Sequence, residues 1–187
     1  MRPQKILDKD LLAALSKVFR AKGYEGASLA DLAEEVGLQK ASLYHRFPQG
    51  KKEMADAVLA HIGQWVEVNI FAVLRDATLS PNVRLKAALS HVRALYDGGN
   101  ESCSFRAFSM ESGLSLFEES INNGMNEWIS AFTSLGISTN LTPEKAKEYA
   151  LQTLIDIQGS LIVAKGMSDL QVFENTLQNI ESRYSRA

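Results

Sequence analysis

The stretch QKASLYHRF, residues 39–47, gathers an amide, an ammonium, hydroxyls, an imidazole and a guanidinium within nine positions. Groups of this kind bond phosphate oxygens and base edges, through forked donors and through donor–acceptor amides. Leu43 and Phe47 stand four apart and would anchor one side of a short helix, leaving Lys40, Ser42, Tyr44, His45 and Arg46 for its other sides. The competing reading is a plain solvated face, the usual fate of polar residues on a short helix. Catalytic chemistry finds much less support. The three histidines form no metal-ligand spacing with Cys103 or with a carboxylate, and there is no HExxH, P-loop, GxSxG or CxxC pattern. No metal, no cofactor and no enzyme activity are therefore expected. Cys103, the single cysteine, has only Arg106 nearby to stabilise a thiolate, so a buried inert role is favoured over a redox switch.

A nine-residue helix this polar buries too little to persist alone and must pack on a neighbour. The neighbour is legible. Ser28-Leu29-Ala30-Asp31 has the pattern of a capping box, and the helix it opens carries Leu29, Leu32, Ala33 and Val36 up to Gly37. Gly37 suits a tight turn because it accepts positive φ without a Cβ clash. Two short helices joined by about three residues have the size of a helix-turn-helix. In front of them Leu11, Leu12, Leu15, Val18 and Phe19 follow helical spacing to a stop at Gly23.

Behind them a long helix carries Met54, Val58, His61, Ile62 and Trp65. Ser80-Pro81 starts another helix, which ends near Tyr96, and residues 103–135 are expected to be helical but interrupted near Gly113. Thr142-Pro143 opens a helix to about Lys165, and a last one spans roughly 168–183. No alternating strand pattern occurs, so the fold class is all-α, with about nine helices.

Residues 11–54 resemble the DNA-binding domain of the TetR family of ligand-released repressors. The resemblance rests on LLAALSKVF, then GYEGAS, then LADLAEEVGL, then SLYHRFP followed by lysine. It implies a helix-turn-helix domain over 1–52 and a ligand-binding and dimerisation domain over 53–187. It also implies that Ser28, Tyr44 and Lys51 hold the DNA backbone while Lys40, Ser42 and His45 face the major groove. The extra residue in PQGK is similar to a subgroup of drug- and flavonoid-responsive repressors. Gln39 departs from the family, which has a small capping hydroxyl there. Glutamine caps poorly but can read adenine, so Gln39 joins the candidate base contacts.

The family's effector cavity lies among the fourth to seventh helices, here about 51–135. Within that span Trp65, Phe105, Phe108, Phe117 and Trp128 could form flat apolar walls, with Asn69 and His91 as polar points. Each aromatic taken singly fits better as core. In 170–184, Leu170, Phe173, Leu177, Ile180 and Tyr184 recur in steps of three and four, as in a coiled-coil seam. The preceding helix bears two stripes, one with Ala150, Leu154, Ile157, Leu161 and Ala164, the other with Leu151, Ile155 and Ile162. Two stripes imply two covered sides, and Leu154, Leu161, Leu170, Phe173, Leu177 and Ile180 are the expected dimer contacts.

Charge distribution agrees. Residues 1–52 hold ten Lys/Arg against six Asp/Glu, a net +4, whereas the rest hold ten against sixteen, a net −6. A basic front and an acidic back suit a molecule that meets phosphate with one end. MRPQKILDKD lacks the apolar core of a signal peptide, and no 18-residue uncharged apolar run is present, so a cytoplasmic protein without membrane partners is expected. The partners read from the sequence are palindromic double-stranded DNA, a small apolar or aromatic effector and a second copy of the chain. The rival reading is a DNA-binding or adaptor protein whose body only dimerises.

Overall fold

The computed structural model describes residues 8–110 and 112–185, and the described residues form nine helices without a strand. They are α1 (Asp8–Gly26), α2 (Leu29–Val36), α3 (Lys40–Arg46), α4 (Lys51–Arg75), α5 (Pro81–Leu95), α6 (Ser104–Phe108), α7 (Ser112–Ser138), α8 (Pro143–Met167) and α9 (Gln171–Ser185). Helix α4 is α-helical over Lys51–Val66 and Ala72–Arg75, with a π-helical turn at Glu67–Phe71 between them. By length and composition alone α4 could cross a bilayer. Four of its apolar residues, Met54, Val58, Ile70 and Leu74, are fully buried in the fold.

Packing divides the chain into two units that do not follow the 1–52 and 53–187 division. The first unit runs to Gly63 and also takes Ser104–Ile121; the second comprises Gln64–Cys103 and the chain from Asn122 onward. In the first, α1 contributes Leu11, Leu15 and Phe19, α2 contributes Leu32, and α3 contributes Leu43 to the core. Phe108 and Phe117 complete it. Phe108 lies 5.3 Å from both Phe19 and Phe117, and Phe117 meets the edge of Tyr24 at 5.0 Å. The expected interruption comes just ahead of Gly113, which lies in the first turn of α7. A Cβ at Gly113 would come within 2.8 Å of the Phe108 carbonyl, so this glycine permits a close approach instead of a break.

The second unit is built on α5, α7, α8 and α9 with the end of α4. Phe71 meets Trp128 edge-on at 5.5 Å, Trp128 stacks on Phe132, and Phe132 contacts Tyr184. Tyr96 meets Phe173 at 6.1 Å. A bidentate pair between Arg93 and Glu174 ties α5 to α9, and Arg183 pairs with Asp156 to tie α9 to α8. Ser80 stands at the start of α5, but its hydroxyl makes no cap bond, and Pro81 alone marks the helix start.

The coiled-coil seam of the last helix faces inward. Phe173, Leu177 and Ile180 are buried within the chain, as are Leu154 and Leu161, so these five cannot be the dimer contacts the spacing suggested. Periodicity reveals that a stripe is covered, not what covers it, and here the neighbours include Tyr96 and Phe132 of the same unit. Of the six expected contacts only Leu170 is exposed. The other stripe of α8 stays open: Leu151, Ile155 (52%), Ile162 (60%), Val163 and Met167 (65%) are exposed.

Candidate nucleic-acid interface

Helix α2 is capped at both ends by its own sequence. The Ser28 hydroxyl accepts from the Asp31 amide at 3.1 Å and donates to the Asp31 carboxylate at 2.7 Å, while the Ser28 amide donates to the same carboxylate. This is the capping box read from the sequence. Lys22 closes on Asp31 at 2.6 Å. That bond, and after it the Ser28 bonds, hold the Asp31 carboxyl well below its ordinary range, at about 2. With the hydroxyl committed to Asp31, this end of α2 presents the unpaired amides of its first turn to an incoming anion.

At the other end Gly37 takes the left-handed conformation (φ 71°, ψ 28°), its amide donating to Ala33 and Glu34. The Leu38 amide also returns to the Ala33 carbonyl, at 2.9 Å. These bonds stop α2 and turn the chain at once into α3. Leu43 is fully buried and fixes α3 on the core. Gln39, Lys40, Ser42, Tyr44 and His45 are all exposed, and among the described residues none of these five side chains forms a hydrogen bond or ion pair. Arg46, by contrast, pairs with Asp8. Gln39 occupies the N-cap of α3 without making a side-chain cap bond, so its amide is unspent.

Lys51, expected on the DNA backbone, also bonds within the fold. Its ammonium donates to the Tyr24 carbonyl at 2.9 Å and approaches the Glu25 carbonyl at 3.4 Å, above the Tyr24 ring. Nothing in the spacing of the sequence pointed to that bond, because it joins residues 27 apart.

Residues 11–58 match the family described as bacterial regulatory proteins, tetR family. These residues carry the sequence of the TetR-family regulatory domain. The match and the curated relatives support a TetR-family transcriptional regulator and not an enzyme. The chain is 24% identical over 163 residues to the HTH-type transcriptional regulator LmrA of Bacillus subtilis (strain 168), covering 82% of this chain and 84% of that protein. Its fold is similar to that of a TetR transcriptional regulator from Legionella pneumophila, with a TM-score of 0.81 and 17% identity over 97% of this chain and 98% of the other. It is also similar, at a TM-score of 0.73 and 24% identity over 100% and 99% of the two chains, to the TetR-family regulator CifR, whose structure includes a 26-bp double-strand operator DNA.

In this TetR-family regulator the candidate effector residues fall into two groups. Phe105, Phe108 and Phe117 belong to the first unit, where Phe108 and Phe117 are packed ring to ring as core. Trp65, Asn69, His91 and Trp128 belong to the second, where Trp128 is buried in the Phe71–Phe132 stack. Trp65 and His91 meet edge-on at 6.1 Å, both half-buried. The Asn69 amide donates to the Trp65 carbonyl across the π turn, at 2.8 Å. None of the seven lines the groove of about 570 Å³ between Asn126 and Lys147, nor the groove of about 300 Å³ beside Pro81 and Tyr184.

Proposed function

We propose that this TetR-family regulator acts as a homodimeric repressor that reads palindromic double-stranded DNA through α3 and leaves it when an apolar, aromatic effector binds. The observation that carries the DNA half is α3 itself. Gln39, Lys40, Ser42, Tyr44 and His45 stand exposed and unpaired on a helix held by one buried leucine behind a capped helix and a left-handed turn. Helix-turn-helix proteins lay such a helix in the major groove, its first residues on base edges. Lys40, Ser42 and His45 are the base-reading candidates with Gln39 beside them, while Tyr44 and the α2 end at Ser28 meet the backbone. The operator complex of CifR supports the same reading.

Dimerisation is supported by the open stripe on α8. Leu151, Ile155, Ile162, Val163 and Met167 form a face of a kind seldom left in water, and a second copy supplies a matching one by two-fold symmetry. A single module reads only a few base pairs, so two on one axis account for a palindrome.

The test is selection from random-sequence duplexes. The expected product is an inverted repeat whose half-site centres lie about 34–36 Å apart, or a multiple of that. Recovery of only asymmetric or unrelated sequences would count against the reading.

A further inference from the structure

Helix α8 carries a glycine in its interior, Gly159, where glycine favours a helix less than any residue but proline. Two glycines of α7 have reasons within the chain. A Cβ at Gly113 would come within 2.8 Å of the Phe108 carbonyl, and one at Gly136 within 2.9 Å of the Ala146 Cβ. Gly159 has no such reason. It is exposed on a helical backbone, and apart from its own helix nothing lies within 4 Å of where a Cβ would stand. Gly63 of α4 is equally open, but no exposed large apolar side chain stands three or four places from it. Around Gly159 such side chains do stand: Ile155 four places before, Ile162 and Val163 three and four places after. Residues so spaced share a helix face.

That open face has a centre. Leu151 and Met167 lie eight places either side of Gly159, and Ile155 and Val163 four places either side. A second α8 laid antiparallel about the same centre therefore meets apolar with apolar along its length. The face is also free of unpaired charge. Between Leu151 and Met167 the charged residues are Asp156 and Lys165, and Asp156 pairs with Arg183 while Lys165 donates to Ser102. Near a two-fold axis a lone charge would face its own copy, so this surface suits a second copy of the chain.

We propose that the two-fold axis of the dimer passes at Gly159, where two antiparallel copies of α8 cross in close contact. Leu151 of each copy then packs on Met167 of the other, and Ile155 on Val163. The missing Cβ is what lets the two backbones approach. The inference rests on the dimer reading above and adds its register, and the test separates the two.

In the monomer a side chain at position 159 enters open space and only adds helix preference. Measured in the monomeric Ile162→Glu background, Gly159→Ala should raise the melting temperature by about 2–4 °C. In the dimer the same methyl stands twice between the helices, so Gly159→Ala should raise the dissociation constant about tenfold. Gly159→Leu should sediment as monomer where the wild type is a dimer. Register is read by exchanging charge. Leu151→Glu and Met167→Lys should each weaken the dimer, and the double variant should bind itself about tenfold tighter than either single one. Sixteen places apart on one helix, the two charges cannot pair within a copy. A dimer that survives Gly159→Leu yet is split by Ile162→Glu overturns the crossing and keeps the dimer reading. A double variant weaker than both single ones overturns the register. Wild-type protein that sediments as a monomer removes the dimer reading and this inference with it.

Discussion

At the level of single residues, the exposed side chains of α3 divide by what each can tell apart. Tyr44 is 45% exposed, and its hydroxyl is unpaired among the described residues. A phenol on a phosphate oxygen gives grip without sequence information, so Tyr44→Ala should weaken binding to all duplexes alike. Lys40 and His45 are expected on base edges, and Lys40→Ala or His45→Ala should cost about 1–3 kcal/mol on the selected site and relax its preference at one position. Gln39 makes the division sharpest, because stability and specificity should move in opposite directions. Gln39→Ser adds the cap that α3 lacks, worth about 0.5–2 kcal/mol of stability, yet it removes the amide that can pair with adenine. Thermal melts together with a repeated selection check this. A more stable variant with unchanged base preference would show that Gln39 reads nothing. That these side chains stand exposed was legible from residue type, since a polar run on a short anchored helix is a local pattern, whereas their division between backbone and bases comes from the family resemblance. The bonds that Lys51 makes were not legible, because its carbonyl partners belong to a bend that exists only once α1 and α4 have met.

For elements, what could be read from the sequence depended on whether the determinant was local. The capping box at Ser28 and the left-handed stop at Gly37 were legible because a cap joins residues three or four apart. The interruption near Gly113 was legible and falls just ahead of that glycine, but the approach of the Phe108 carbonyl to it was not, since no propensity encodes it. Helix α9 is the instructive case. Its steps of three and four are real, but an apolar stripe is equally satisfied by the chain's own core, and Phe173, Leu177 and Ile180 are spent there. The stripe of Leu151, Ile155 and Ile162 on α8, read from the sequence as the second covered side, is the one still open. Two substitutions therefore separate fold from assembly. Leu177→Glu places a carboxylate in a filled core and should unfold the second unit; even Leu177→Ala should cost about 2–5 kcal/mol. Ile162→Glu changes an exposed position, leaves monomer stability within about 0.5 kcal/mol and should split the dimer by placing charge on both copies at the shared face. Sedimentation of the two variants beside their melting curves decides. An intact dimer in the Ile162 variant would remove α8 from the interface.

For the whole molecule, the question is how occupancy of the body changes affinity at the DNA. Helix α4 is one of the covalent links between the units, beginning at Lys51 and reaching the π turn at Glu67–Phe71 in the second. π turns recur at functional places, because the extra residue frees carbonyls and re-aims side chains. Here Asn69 donates to the Trp65 carbonyl across that turn, which leaves its own amide oxygen as an acceptor, and Trp65 in turn meets His91. With Phe108, Phe117 and Trp128 packed as core, Trp65, Asn69 and His91 are the stronger effector candidates. An aromatic molecule with one hydrogen-bond donor suits them. Binding alone does not make a switch, since a ligand with equal affinity for the DNA-competent and incompetent forms shifts nothing. A coupling of about 1–3 kcal/mol would release the operator by roughly 5–150-fold. A screen of planar aromatic compounds should therefore be read twice, by tryptophan quenching and by displacement from the selected duplex. Trp128 is buried and Trp65 half-buried, so quenching that survives Trp65→Phe places the ligand away from the π turn. Compounds that quench Trp65 and release DNA should lose both effects in Asn69→Leu, which fills similar space without an acceptor. Quenching without release would leave a site and no switch, and the body would then serve dimerisation alone.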